Sequence, residues 1–119
     1  MVRTSVYARN AMLTTLGSEL SGGKVCGYVG KSPGIENQPE SAPIFECPVD
    51  AVLDPASGSL KANKLTTDGD GHEGVIGWYR VLSANGEPLW EADTFDFDHD
   101  DVQEGAEVTI DSLVYTLPE

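Results

Sequence analysis

The chain is poor in positive charge and in long hydrophobic runs, and each shortage excludes a class of protein. Its 119 residues hold 7 lysines and arginines against 20 aspartates and glutamates, which gives a formal net charge of −13. Such a polyanion repels nucleic acids and anionic lipids, so direct binding to DNA or RNA is not expected. No apolar run approaches the roughly 18 residues of a membrane span, and no apolar signal-peptide segment follows Arg3, so no membrane contact is expected.

Cysteine and histidine are scarce as well. The only cysteines are Cys26 and Cys47, each in an apolar, strand-like segment. A bridge between neighbouring strands is conceivable, but two buried free thiols are the expectation for a protein assembled in the cytosol. The chain has two histidines, His72 and His99, and no Gly-x-Ser-x-Gly motif. The sequence thus indicates no nucleophile and base arranged as in a catalytic triad. The sequence therefore predicts no enzyme and no cofactor.

The turn over residues 68–73, Asp-Gly-Asp-Gly-His-Glu, invites comparison with a calcium-binding loop. An EF-hand loop places glycine at its sixth position and glutamate at its twelfth. Counting from Asp68, Gly71 arrives two places early and the twelfth position is Tyr79. An acidic, glycine-rich turn is the better interpretation, and no metal site is predicted.

Turn-forming residues, in contrast, are abundant. The 13 glycines and 7 prolines are more than a helical bundle uses, and they indicate many turns between short strands. Seven or eight such strands predict a mainly β fold, a β-sandwich or a jelly roll. A short helix within residues 1–20, capped by Thr4 or Ser5 and ended by Gly17 and the Ser21-Gly22-Gly23 cluster, is predicted to pack on the sheet. By length, residues 1–119 form a single domain.

The strongest local signal is the segment Gly74–Trp90. It contains two strand-like runs joined at Asn-Gly, which predicts a β-hairpin. Both faces of its first strand carry large side chains, so neither is expected to be fully solvated. Arg80 is the only base after residue 64 and is expected to pair with a neighbouring carboxylate. By alternation, Trp78, Arg80 and Leu82 share one face, and Tyr79 and Val81 share the other.

The negative charge is concentrated in the second half of the chain. Residues 68–119 hold fourteen acids and one base, whereas residues 1–67 hold six of each. Alternation over residues 92–101 places Asp96, Asp98 and Asp100 on one strand face, about 7 Å apart at each step, too far for two neighbours to chelate one ion unaided. A solvated face is the simplest interpretation, and docking onto a basic partner is the functional alternative. Trp90 and these three aspartates are the candidate partner-contact residues.

Several motifs together resemble small structural proteins of tailed bacteriophages. The resemblance spans nearly the whole chain, and the motifs are turn glycines, an arginine-bearing strand and a final strand. This chain differs in having the acidic stretch Asp96–Asp101 where the family has a Gly/Ala-rich one. The matching motifs are Arg9-Asn10-Ala11-x-Leu13, Asp54-Pro55-Ala56 with Ala62-Asn63, Gly77-Trp78-Tyr79-Arg80-Val81-Leu82, Asn85-Gly86, and Gly105-x-x-Val108-Thr109-Ile110-x-Ser112-Leu113.

The resemblance implies a non-enzymatic virion component, assembled in the host cytoplasm. The first expectation is a decoration or cement protein on the outside of the head, with the major capsid protein or another virion protein as partner. A homo-oligomer, dimer or trimer, is also expected. The first alternative is a tail, baseplate or fibre component. The second is a glycan-binding module that uses an aromatic platform of Trp78, Tyr79 and Trp90, although core filling is the commoner role of such aromatics.

Overall fold

The fold is mainly β with one helix near the N-terminus, which confirms the predicted fold class. A computed structural model describes residues 2–49, 55–62, 65–66, 71–93, 101–105, 107, 109–110 and 113–117. Among these residues no helix is long and apolar enough to cross a membrane. In chain order the elements are α1 (Val6–Leu20), β1 (Lys24–Tyr28), β2 (Phe45–Pro48), β3 (Ser59–Ala62), β4 (Leu65–Thr66), β5 (Gly74–Val75), β6 (Trp78–Leu82), β7 (Pro88–Ala92), β8 (Asp101–Val102), β9 (Thr109–Ile110) and β10 (Leu113–Thr116).

An antiparallel four-stranded sheet in the order β2-β1-β6-β7 forms the centre of the molecule. Three two-stranded antiparallel pairs accompany it: β10 with β3, β4 with β9, and β5 with β8. The arrangement is compatible with the predicted sandwich or jelly roll. The strands β3 and β4 follow each other closely in sequence but pair with different partners, β10 and β9 respectively.

The helix begins where its sequence predicts. Ser5 is the N-cap, and its Oγ accepts a hydrogen bond from the backbone N–H of Ala8 at 3.1 Å. The helix continues past Gly17 to Leu20 and ends at the predicted Ser21-Gly22-Gly23 cluster, where the Ser21 N–H donates to the Gly17 carbonyl. Leu20 is buried, so the additional turn gains apolar burial that offsets the low helix propensity of glycine.

The hydrophobic core lies on one face of the central sheet. Val25 and Val81, directly opposite each other on β1 and β6, are both fully buried there. Leu13 and Leu20 from the helix, together with Leu60 from β3, belong to the same cluster. The helix and the β3–β10 pair therefore cover this inner face.

The hairpin is confirmed, with the side chains of β6 alternating as predicted. The turn contains a hydrogen bond from the Gly86 N–H to the Ser83 carbonyl, and Gly86 has φ +84°. Ser83 Oγ accepts from the N–H groups of Asn85 and Glu87, and the Ser83 N–H donates to the Glu87 carbonyl. The Asn-Gly pair thus lies in a type I turn with a following glycine bulge, and the strand register shifts beside it.

Both cysteines are buried and free. In the β1–β2 register Cys26 lies opposite Glu46, whereas Cys47 lies opposite Val25. Residues directly opposite in an antiparallel pair point to the same face, so the two thiols point to opposite faces of the sheet. A disulfide between them would require β1 or β2 to present its opposite face, so that both thiols lie on the same side of the sheet.

Candidate functional site

The outer face of the central sheet carries a polar row that crosses all four strands. The register places Glu46, Cys26, Arg80 and Glu91 side by side on β2, β1, β6 and β7. A face with this composition cannot be left under an apolar layer unless its charges are paired. Glu46, at the β2 end of the row, is exposed, whereas Arg80 and Glu91 are covered by the segment 30–43, which has neither helix nor strand structure and is named here the strap.

Arg80 joins the strap to the sheet. Its guanidinium Nε and Nη2 donate to Glu91 Oε1 at 3.2 and 2.9 Å. Nη2 also donates to the carbonyl of Gly34 at 3.0 Å, and Nη1 donates to the carbonyl of Asn37 at 2.9 Å. The arginine is only 4% exposed. One buried cation therefore binds a carboxylate on the neighbouring strand and two main-chain oxygens of the strap.

The strap is shaped so that these two oxygens face the sheet. Asn37 donates its backbone N–H to the Gly34 carbonyl at 2.9 Å and its side-chain Nδ2 to the Pro33 carbonyl at 2.7 Å. Gly34 adopts φ +107°, a conformation that only glycine takes without strain. The Ser32 hydroxyl donates to the second oxygen of Glu91, which closes the network from the other side.

An aromatic pair lies beside this network. Tyr28 and Trp78 are opposite each other on β1 and β6, and their rings stack with centroids 4.4 Å apart at an angle of 17°. The Arg80 guanidinium carbon is 5.1 Å from the centroid of the Trp78 ring, within the range of a cation–π contact. The indole N–H of Trp78 is buried and has no hydrogen-bond partner in the described part of the chain.

A cavity of about 270 Å³ remains between the strap and the sheet. Tyr28, Arg80 and Leu82 form its floor, and Ile35, Asn37 and Pro39 of the strap form part of its wall. Arg80 is already bound to Glu91 and two carbonyls, which leaves little of its donor capacity for a ligand. The arrangement is therefore best suited to holding the strap in place.

Burial changes the acid–base behaviour of two groups on this face. Desolvation raises the pKa of the Cys26 thiol to about 11, and the nearby Glu46 carboxylate acts in the same direction. Desolvation also raises the pKa of the Tyr28 hydroxyl to about 12. Both groups are therefore neutral in the folded protein around neutral pH, and the Cys26 thiol is a poor nucleophile.

The raised pKa values predict a loss of stability at alkaline pH. The contribution of the thiol to the free energy of unfolding is fully present below its ordinary pKa of 9.0. It is lost as the pH rises towards about 11, because over this range the unfolded chain releases a proton that the folded chain retains. Relative to Cys26→Ala, we expect the wild type to lose about 2 kcal/mol of unfolding free energy between about pH 8 and about pH 10.5. Urea titrations at both pH values measure it, and parallel losses in the two proteins would contradict the prediction.

A second arginine holds the N-terminal helix to the rest of the fold. Arg9 is 8% exposed and donates from Nη1 to the Leu117 carbonyl at 3.3 Å. Its Nη1 lies 2.6 Å from the point where a Cβ on Gly58 would be, so the guanidinium packs flat on that glycine. Asn10 Oδ1 accepts the Gly58 N–H at 3.0 Å. Through Arg9 and Asn10 the helix thus binds the turn between Ala56 and Ser59.

The candidate partner-contact residues are only partly within the described chain. Trp90 lies opposite Val81 and is half-buried against the core, with its ring 4.8 Å from that of Tyr115. Asp96, Asp98 and Asp100 lie outside the described residues. The contact role of all four residues stays a prediction.

The three aromatic residues proposed as a glycan platform do not share a surface. Trp78 and Tyr79 are 2% and 5% exposed and point to opposite faces of β6. Trp90 lies on the Tyr79 side, because it pairs with Val81. A stacking platform needs aromatic faces exposed together, so these side chains serve as core and as support for Arg80.

The outer face contains residues that the sequence analysis did not single out, namely Tyr28, Ser32, Glu46 and Glu91. Alternation within β1, β2 and β7 assigns Tyr28, Glu46 and Glu91 to this face, whereas Ser32 lies in the strap; the length of the loop after β1 is itself a signal, because long loops in compact domains usually have a specific role. Elsewhere, His72 Nδ1 is 3.1 Å from Glu104 Oε2 in an exposed pair. Within the described ranges no three His, Cys, Asp or Glu side chains come together to hold a metal.

No protein-family model matches the chain, and neither the curated proteins nor the solved structures contain a significant match.

Proposed function

We propose that this chain is a non-enzymatic structural component of a tailed-bacteriophage particle, placed on the outside of the head as a decoration or cement protein. The observation that carries the proposal is the resemblance of its motifs to small phage structural proteins. Two of those motifs contain residues whose contacts hold the fold together. Asn10 binds the turn that follows Ala56, and Arg80 on β6 binds the strap.

The charge distribution also supports this role. The net charge of −13 keeps the protein away from packaged DNA and soluble before assembly. Apart from Glu91, which pairs with Arg80, the acidic side chains of the second half whose exposure the structure describes are exposed, among them Glu73, Glu87 and Asp93. An acidic outer surface of this kind complements basic ridges on a capsid, which is the partner that the proposal names.

Binding to isolated heads tests the proposal. The purified protein is mixed with tail-less heads that lack it, and bound protein is measured by sedimentation and by cryo-electron microscopy. The expected result is saturable binding at a repeated position on the shell. Recovery only in tail fractions, with no binding to such heads, would reject the head assignment in favour of the tail or baseplate.

The three aspartates of the predicted acidic face should contribute to attachment through charge. Replacing Asp96, Asp98 and Asp100 together by asparagine is expected to weaken head binding about tenfold at low salt, because exposed ion pairs each contribute roughly 0.5 kcal/mol. The difference from wild type should shrink as salt is added. Binding isotherms at two salt concentrations measure both effects.

The matched control removes three acids from the first half of the chain, by Glu19→Gln, Glu36→Gln and Glu40→Gln. All three side chains are exposed, and the net charge changes by the same amount. If this control weakens binding as much as the aspartate variant, the effect belongs to net charge alone. Attachment that holds unchanged into high salt would show that apolar contact carries it.

A further inference from the structure

The surface around the start of the helix combines several exposed apolar side chains with a base. Val2 and Tyr7 are 89% and 85% exposed, and Val6 is 47% exposed. Arg3 is exposed beside them, and Ala11 continues the same helix face one turn after Tyr7. These five residues are named here the N-terminal patch. Exposed apolar residues grouped in this way mark a contact surface.

The N-terminal patch is also positive. The first turn of the helix contains no acidic residue, so the partial positive charge of the helix N-terminus is not neutralised there. Beneath it, the buried Arg9 guanidinium donates to the carbonyls of Ser5 and Leu117 and has no carboxylate within 4 Å among the described side chains. Residues 2–18 as a whole contain two arginines and no acid. A partner for this surface needs apolar groups flanked by carboxylates.

The chain itself carries such a surface in its second half. Val75 on β5 is 58% exposed, and Glu73 two residues before it is exposed. Glu104, 70% exposed in its side chain, is held close by its contact with His72 and by the Gly105 N–H donating to the Gly71 carbonyl. Glu73, Val75 and Glu104 are named here the acidic patch. Residues 68–119 have one base, Arg80, and it is buried.

We propose that the N-terminal patch of one copy docks on the acidic patch of a second copy. The two patches are different surfaces, so the contact is head-to-tail and each copy keeps one free patch of each kind. A contact of this type builds a ring if the rotation closes and a filament if it does not. Tyr7 and Val2 supply the apolar area, and Arg3 faces carboxylates such as Glu104.

Two blocked variants separate this arrangement from any other. The first, Arg3→Gln with Tyr7→Ser, changes only exposed residues of the N-terminal patch. The second, Glu73→Lys with Glu104→Lys, changes only the acidic patch. Each variant alone should be monomeric, because one of the two complementary surfaces is lost in every copy. Mixed one to one, the two variants should form a dimer and nothing larger. The unchanged N-terminal patch of the second variant can bind the unchanged acidic patch of the first, and the patch that remains on each copy is altered.

Light scattering after gel filtration and sedimentation velocity measure the species, and circular dichroism checks that both variants are folded. Wild-type protein that is monomeric at about 100 μM, where a contact of micromolar affinity is nearly saturated, would overturn the proposal. Failure of the mixture to dimerise would also overturn it, as would assembly of either variant alone. Because these measurements use the purified chain, they are independent of head binding, and either proposal can fail while the other stands.

Discussion

Replacing Arg80 by methionine is expected to lower the free energy of unfolding by about 3 kcal/mol, because it leaves the Glu91 carboxylate buried without its cation. The Glu91 side chain is 20% exposed and accepts two hydrogen bonds from Arg80. The same substitution removes the donors to the Gly34 and Asn37 carbonyls. Chemical denaturation monitored by tryptophan fluorescence measures the change.

The matched control is Arg3→Met, which removes an exposed arginine and should change stability by less than about 0.5 kcal/mol. A second variant, Arg80→Met with Glu91→Met, should recover part of the loss, since no charge then remains buried without a partner. Hydrogen exchange gives a local readout. The Asn37 amide, bound to the Gly34 carbonyl, should exchange faster in Arg80→Met than in Arg3→Met. Equal stability of the two single variants would contradict the role assigned to Arg80.

Replacing Gly77 by alanine is expected to cost about 3 kcal/mol, because two main-chain segments meet there with no space for a methyl group. A Cβ on Gly77 would lie 2.1 Å from the Gly30 carbonyl oxygen and 2.9 Å from the Gly30 nitrogen. Main-chain atoms cannot rotate away as a side chain can, so the start of the strap must move. Thermal and urea unfolding of the purified variant measure the cost.

Gly86→Ala is the matched control for Gly77→Ala. Gly86 has φ +84°, and no atom lies within 4 Å of its potential Cβ. Alanine there introduces only the strain of a left-handed backbone, about 1 kcal/mol. A cost at Gly77 no larger than the cost at Gly86 would show that the strap can shift at little expense.

Local periodicity explains which parts of the fold could be predicted. The alternation of β6 places Trp78 and Arg80 on one side and Tyr79 on the other, and the structure has the same arrangement. Ser5 is the helix cap because its side chain bonds to the turn that immediately follows it. These features depend on residues close in sequence, so the pattern contains the information needed.

The anchoring of the strap could not be predicted in the same way. Arg80 was expected to pair with a carboxylate, and it does, at Glu91. Its other two acceptors are main-chain oxygens of Gly34 and Asn37, and every residue type has such an oxygen. The continuation of the helix past Gly17 has a related cause, since burial of Leu20 depends on how the helix packs on distant strands.

The candidate site divides in the same manner. The concentration of acids in the second half is visible in composition alone. The exposure of Asp96, Asp98 and Asp100 on one strand face stays a prediction. The aromatic platform fails as a hypothesis because it requires Trp78 and Tyr79 on one surface, whereas strand alternation alone already places them on opposite faces of β6, as the structure does. The N-terminal patch could not be predicted from the sequence, because an apolar residue such as Val6 suits a packed helix face as well as the 47% exposure that the structure shows.

The way in which Arg80 holds the strap has a consequence for tolerance to change. Because the arginine binds carbonyl oxygens, most side chains of the strap take no part in the attachment. Glu40, Ser41 and Ala42 are exposed and lie beyond the last anchored residue, Asn37. Foreign peptide inserted between residues 40 and 42 should therefore leave the anchor intact, which makes this segment a suitable place to display an epitope on the surface of the protein.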